Sequence, residues 1–249
     1  DRISRPEQLV SALMEAMRVL TSPADTGAVT LALPQDVQAE AFDFPAELFA
    51  MRVWRIARPR PDTAALREAA ALTARARCPL VVAGGGVLYS GASDALRRFA
   101  EATGIAVTET QAGKSSLPWD HPQQVGPMGT TGSLAANRLA HDADLVLLVG
   151  TRLSDFTSAS RTAFANPEVR FVAINVAELD AHKAGAIALV GDARVTLEEF
   201  GSLLEIGGHT WRAPHDYLAR VAELRATWNA EVDAVVARQG GALLTQHEV

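Results

Sequence analysis

Between residues 64 and 206 the apolar positions fall into two alternating rhythms. Stretches with apolar residues three and four apart, "TAALREAAALTARA", "ASDALRRFAEATG", "TGSLAANRLAHDA" and "VTLEEFGSLL", take turns with short unbroken apolar runs, "PLVVAG", "IAVTET", "DLVLLVG", "VRFVAINV" and "AIALVGD". The first kind lays a buried stripe along a helix, and the second is what a strand covered on both faces looks like. Their alternation predicts an α/β fold: a doubly wound, mostly parallel sheet of Rossmann-like type with helices on both faces. Gly104 stands where one helix should stop, and Thr196 with Glu199 has capping-box spacing where another should start.

The flanks read differently. In "SRPEQLVSALMEAMRVL", Leu9, Leu13, Ala16, Met17 and Leu20 share one helical face, with Ser4 and Glu7 spaced as a capping box. "AVTLALP" follows, a strand-length run ended by Pro34. One helix and one strand do not close a core, so residues 1–40 are expected to be the last elements of an earlier domain. Residues 41–63 carry three prolines and no sustained period, the composition of a linker, and Phe42, Phe44, Phe49 and Trp54 argue that it is pinned to a neighbour. Residues 64–206 form the whole central domain. In 207–249, Leu218, Val221, Trp228, Val232 and Val235 make one stripe interrupted by Arg225; then Gly240 and Gly241 break the chain, and "ALLTQHEV" begins another helix. The chain is expected to be a piece of a longer protein.

Composition narrows the function classes. With 249 residues, 48% hydrophobic content and a net charge of −6 that includes no basic block, the chain reads as a globular protein without a nucleic-acid or anionic-membrane partner. Cys78 is the single cysteine, which excludes an internal disulfide and a cysteine-based zinc site, and it reads as a small buried residue entering a strand. There is no membrane-length apolar run and no basic-then-apolar leader, so a cytoplasmic location is expected. Six histidines show no metal-ligand spacing, no Gly-x-Ser-x-Gly elbow occurs, and Arg152 with Asp155 reads as a local ion pair or cap. No catalytic set or metal site is expected within the chain.

Candidate chemistry lies in the turns after strands. "TETQAGKSSLP" contains Gly-Lys-Ser, but Thr108 occupies the position where a phosphate loop needs its first glycine, and two prolines follow where its helix should begin. It reads as a turn leaving a buried strand. "VVAGGGVLYSGA" places Gly84, Gly85 and Gly86 between a strand and a helix, where a parallel sheet binds dinucleotide phosphates, yet Tyr89 stands in place of the third fingerprint glycine. "GPMGTTG" adds Gly129, Thr130, Thr131 and Gly132, and three more strand ends contribute Gly150, Thr151 and Arg152, Asn175, and Gly191 with Asp192. These thirteen residues would line one crevice beyond the carboxyl ends of the strands. The same residue types also serve tight turns and caps, so a nucleotide pocket and a purely structural use both remain open.

Taken in order, "RPEQLVSALMEAM", "GAVTLALPQDVQ", "PLVVAGGGV", "ETQAGKSSLPWDHPQQVGPMGTTG", "ADLVLLVGTRLSD", "FVAINVAELDAHK" and "LVGDARVTLEEF" resemble the thiamine diphosphate-dependent family of acetolactate synthase, pyruvate oxidase and their relatives. "ETQAGKSSLPWDHP" and "TGSLAANRLA" resemble most its branch of carbon–carbon hydrolases that open a cyclic diketone in myo-inositol breakdown. The resemblance implies flanking pyrimidine- and diphosphate-binding domains, thiamine diphosphate and Mg2+ held outside this segment, and a homo-oligomer. It further implies that the thirteen turn residues correspond to a site where some relatives bind FAD or ADP, with Asn175 in place of a frequently acidic residue. That departure favours a vestigial site.

Overall fold

The computed structural model describes residues 1–206 and 209–237. It divides into two compact units, Asp1–Arg58 and the chain from Pro59 onward.

The first unit holds α1 (Gln8–Thr21) and α2 (Gln35–Gln38), with a core of Ile3, Ala12 and Val37 supported by Leu9 and Leu31. Two expectations fail here. Glu7, not Ser4, is the N-cap of α1 and makes no capping bond; the Gln8 Oε1 accepts instead from the Ser4 and Arg5 N–H groups at 2.6 and 3.1 Å. Residues 28–34 form no strand, because a strand needs a partner along its length and here only Ala32 is bridged, to Arg2. Phe42 and Phe49 both meet Phe44 edge to face, so these linker aromatics pack on one another.

The second unit runs α3 (Thr63–Thr73), β1 (Pro79–Ala83), α4 (Gly85–Tyr89), α5 (Ser93–Thr103), β2 (Ala106–Glu109), β3 (Gln124–Pro127), α6 (Leu134–Asp142), β4 (Leu145–Val149), α7 (Asp155–Ser158), β5 (Arg170–Asn175), α8 (Glu178–Ala181), β6 (Ile187–Val190) and α9 (Ala193–Leu203). A two-stranded pair, β7 (Glu205–Ile206) and β8 (His209–Thr210), leads to α10 (His215–Val236). β1 to β6 form one sheet in the order β3-β2-β1-β4-β5-β6, every neighbouring pair parallel. This is the predicted doubly wound architecture.

Every residue of β1 and β4 is buried, which is why their sequences are unbroken apolar runs. Val81, Val107, Leu147 and Ile174 face one core with Leu96, Phe99, Leu197 and Phe200 of α5 and α9, where the Phe99 and Phe200 rings stack at 5.6 Å. Leu80, Val82, Val146 and Leu148 face the other, under Leu139 of α6 and Tyr217 and Val221 of α10. The Tyr217 hydroxyl donates to the Pro79 carbonyl and accepts from the Ala106 N–H at 3.0 Å, fastening α10 to the starts of β1 and β2.

Gly104 ends α5 at φ +73°, as expected. The Thr196–Glu199 box is not formed. Asp192 caps α9, its Oδ1 accepting from the Arg194 and Val195 N–H groups, while Thr196 lies inside the helix and Glu199 pairs with Arg60. Of the stripe predicted on α10, Val221 is buried, whereas Val232 and Val235 are exposed. Gly240, Gly241 and the helix expected at "ALLTQHEV" lie outside the described residues.

Candidate functional site

In this strand order the chain steps from β1 to β2 on one side and returns to place β4 on the other, so the topological switch lies at the carboxyl ends of β1 and β4. Gly84, Gly86 and Gly150 meet there. The Gly84 N–H donates to the Val149 carbonyl at 2.8 Å and the Gly86 N–H to the Gly150 carbonyl at 2.9 Å. A Cβ on Gly86 would stand 2.6 Å from the Gly150 Cα, and Gly150 itself sits at φ +61°. Glycine is therefore required at the switch to let two turns lie backbone against backbone.

The line continues along the sheet edge. Gly150 donates to the Ile174 carbonyl at 2.8 Å, and Gly191 to the Asn175 carbonyl at 2.9 Å. Both ends of the Asn175 amide are engaged: Nδ2 donates to the Thr151 carbonyl at 3.2 Å, and Oδ1 accepts from the Ala177 N–H at 3.0 Å. The Thr151 Oγ1 accepts from the Leu153 N–H, and the Asp192 carboxylate is buried as the α9 cap. "GPMGTTG" joins from across the β4–α7 turn. The Thr130 N–H and hydroxyl both reach the Phe156 carbonyl, and Asn137 clamps Gly129 by accepting from its N–H at 2.9 Å and donating to its carbonyl at 3.1 Å. A Cβ on Gly132 would meet that Asn137 amide. Asn137 carried no sequence signal, because its role depends on a turn that is distant until α6 folds beneath it.

Gly85 opens α4, with Ala112 beside it. Thr131 and Arg152 are exposed and present their side chains outward; the Arg152 carbonyl accepts from Lys183 at 3.1 Å. The cap on α7 is Ser154, and Arg152 makes no ion pair with Asp155 among the described residues. The turn after α7 is left-handed at three successive non-glycine residues, Ala159, Ser160 and Arg161, with φ of +48°, +54° and +69°. Nothing in the sequence marks that strain.

Gly-Lys-Ser folds as the turn it resembled. A single 3-10 turn at Gln111–Gly113 precedes Lys114, and the Ser115 N–H, at φ +70°, is given to Glu109 at 3.0 Å. Glu109 also accepts from Gln124 at 3.0 Å. Burial pushes its carboxyl above the ordinary range against the pull of those donors and of Lys114. It lies in a groove of about 940 Å3 beyond the edge strand β3, walled by Lys114, Trp119, Arg225 and Trp228. None of the thirteen expected residues lines this groove.

Other titratable groups are held structurally. Asp142 is lowered by its bond from His141 and by Arg220, and Cys78, half-buried, is raised by burial. His121 is buried in a turn, its Nδ1 accepting from the Gln123 N–H at 3.3 Å; His247 lies outside the described residues. Among the described residues no cluster of His, Cys, Asp and Glu suits a metal ion, and no helix is long and apolar enough to cross a membrane.

A family model described as "Thiamine pyrophosphate enzyme, central domain" matches residues 66–200. The chain is 47% identical over 232 residues to a 3D-(3,5/4)-trihydroxycyclohexane-1,2-dione hydrolase of Clostridium perfringens, covering 93% of this chain and 36% of that protein. It is 45% identical over 233 residues to the hydrolase of the same name from Clostridium tetani, covering 94% and 36%, and 47% identical over 237 residues to that of Geobacillus thermodenitrificans, covering 94% and 35%. The chain thus spans about a third of the length of these relatives. On the family match, together with a parallel sheet that spans the matched residues, the chain belongs to the thiamine pyrophosphate enzyme family, of which it carries the central domain.

Proposed function

We propose that the full protein is a thiamine diphosphate- and Mg2+-dependent hydrolase that adds water across a carbon–carbon bond of a trihydroxycyclohexanedione, opening the ring in myo-inositol breakdown. The observation that carries this reading is 47% identity along 93% of the chain to a relative named for that reaction. An acetolactate synthase-like activity has less behind it, since the same likeness recurs in hydrolases of several species.

Within that protein, residues 1–40 end the pyrimidine-binding domain, 41–63 link, 64–206 are the central domain, and 207–249 lead into the diphosphate-binding domain. The residues described here do not fit the cofactor. "GDA" at Gly191 is the nearest text to a diphosphate and metal motif, and its Asp192 carboxylate is buried as a helix cap. Thiamine diphosphate and Mg2+ are therefore assigned to the flanking domains, and this segment alone is inactive. The protein works as a cytoplasmic homo-oligomer on a small molecule, without nucleic acid or membrane.

The thirteen turn residues form a vestigial nucleotide site. Supporting this, the Gly84, Gly86 and Gly150 N–H groups are spent on the Val149, Gly150 and Ile174 carbonyls, and both polar atoms of Asn175 are bonded. Exposed Thr131 and Arg152 favour the second reading, an FAD or ADP pocket. Ring opening by the full-length protein, lost on removing thiamine diphosphate or Mg2+ and restored on adding both, tests the main reading, and condensation of pyruvate instead would defeat it. Calorimetric titration with ADP and FAD should be flat; micromolar binding would establish the pocket as occupied.

A further inference from the structure

Residues 50–57, "AMRVWRIA", belong to no helix or strand, and the backbone N–H and C=O groups of residues 51–57 have no hydrogen-bond partner among the described residues. Their large side chains stand in water: Met51 is 95% exposed, Val53 79% and Ile56 62%. The nearby rings of Phe42, Phe44 and Phe49 have found each other, whereas the hydrogen bonds of residues 51–57 to the rest of their unit, among the described residues, are those of the Arg52 side chain. Exposed apolar side chains in succession, on a backbone with unmade bonds, mark a surface that another polypeptide covers. Met51 and Val53 fall at one parity and Trp54 and Ile56 at the other, so an extended chain here needs cover on both sides.

Charge indicates what covers it. Arg52 reaches the Met14 sulfur and the Glu47 carbonyl but no carboxylate among the described residues, while Arg5 and Arg18 of this unit lie beside Glu7 and Glu15. Among the described residues Arg52 and Arg55 thus have no carboxylate partner, in a chain of net charge −6. The same segment of a second copy would set arginine against arginine. We propose that residues 50–57 are a docking strap that seats in an apolar cleft edged by carboxylates, formed by another part of the same full-length polypeptide. This rests on the reading that the chain is one segment of a longer enzyme.

In the full-length protein, amide hydrogen exchange at residues 51–57 should run at least tenfold slower than in an unstructured peptide. p-Benzoylphenylalanine in place of Val53 should cross-link, within one polypeptide, to a peptide carrying Asp or Glu. Arg55→Glu should speed exchange across the strap at least tenfold and Arg55→Lys should not, with the amides of Leu80, Val81 and Val82 in the same sample reporting that the sheet is intact. Exchange at the free-peptide rate, a cross-link joining two copies, one to a peptide without acidic residues, or none at all would overturn the proposal. Neither measurement needs substrate or cofactor, so a protein that fails to open the ring can still show a seated strap, and an active one an unseated strap.

Discussion

Replacing Tyr217 by Phe removes one oxygen from a site with no access to water. That hydroxyl donates to the Pro79 carbonyl and accepts from the Ala106 N–H at 3.0 Å, and the residue is 4% exposed. The substitution keeps the ring and its packing but leaves two buried backbone groups unpaired, each costing roughly 1–3 kcal/mol. Some relaxation at the strand ends offsets part of this, so the expected loss is about 2–4 kcal/mol. Hydrogen exchange at the Ala106 amide reads the effect where it arises, and the loss corresponds to about 30- to 1000-fold faster exchange if opening there is rate-determining. Melting should fall by roughly 5–12 °C. Burial also pushes the Tyr217 hydroxyl well above the ordinary tyrosine range, so its neutral form is favoured in the folded state. Its contribution is therefore complete below about pH 10, the unfolded value, and is lost as pH rises above it; Tyr217→Phe should lack this alkaline loss. Exchange at Ala106 within threefold of the unsubstituted protein would show that the hydroxyl does not hold these two groups together.

Gly150→Ala should destabilise by more than about 2 kcal/mol or yield insoluble protein, because it adds a Cβ 2.6 Å from the Gly86 Cα at a backbone φ of +61°; a thermal melt checks it. Asp192→Ala removes the acceptor for two N–H groups of α9 and should cost about 1–2 kcal/mol in denaturant titration, with ADP and FAD titrations unchanged. Glu109→Gln resembles the protonated acid that burial favours, so it should stabilise the protein near neutral pH and not below the ordinary glutamate range. The contribution of Glu109 is full below its unfolded pKa and declines as pH rises through the folded value, and melts from pH 3 to 8 should show that window narrowing in the variant.

The central sheet was legible because β1 and β4 are fully buried strands and β5 has a buried run at Val172–Ile174, each with apolar residues that follow one another, a signal that needs no tertiary knowledge. β3 escaped. "QVGP" holds one large apolar residue and lies at the sheet edge, where two-sided burial does not apply. "AVTLALP" failed the other way, since strand-like composition forms no strand where almost nothing pairs with it. Both capping boxes had correct spacing yet neither formed: Gln8 takes the Ser4 N–H that Glu7 would have bonded, and Asp192 starts α9 four residues ahead of Thr196, which leaves Thr196 inside the helix. At the sheet edge the positions of the glycines were legible but not their use. The backbone that lies against Gly84 and Gly86 is that of Gly150, more than sixty residues later, and that closeness is visible only in the folded switch.

In the proposed enzyme, residues 64–206 are a parallel layer whose own side chains stand apart from the reactive chemistry. A structure of the full-length protein with thiamine diphosphate and Mg2+ bound tests it most directly. The cofactor should touch none of residues 64–206; a hydrogen bond from that stretch to the cofactor, or a magnesium ion on Asp192, would show that the layer takes part in the chemistry.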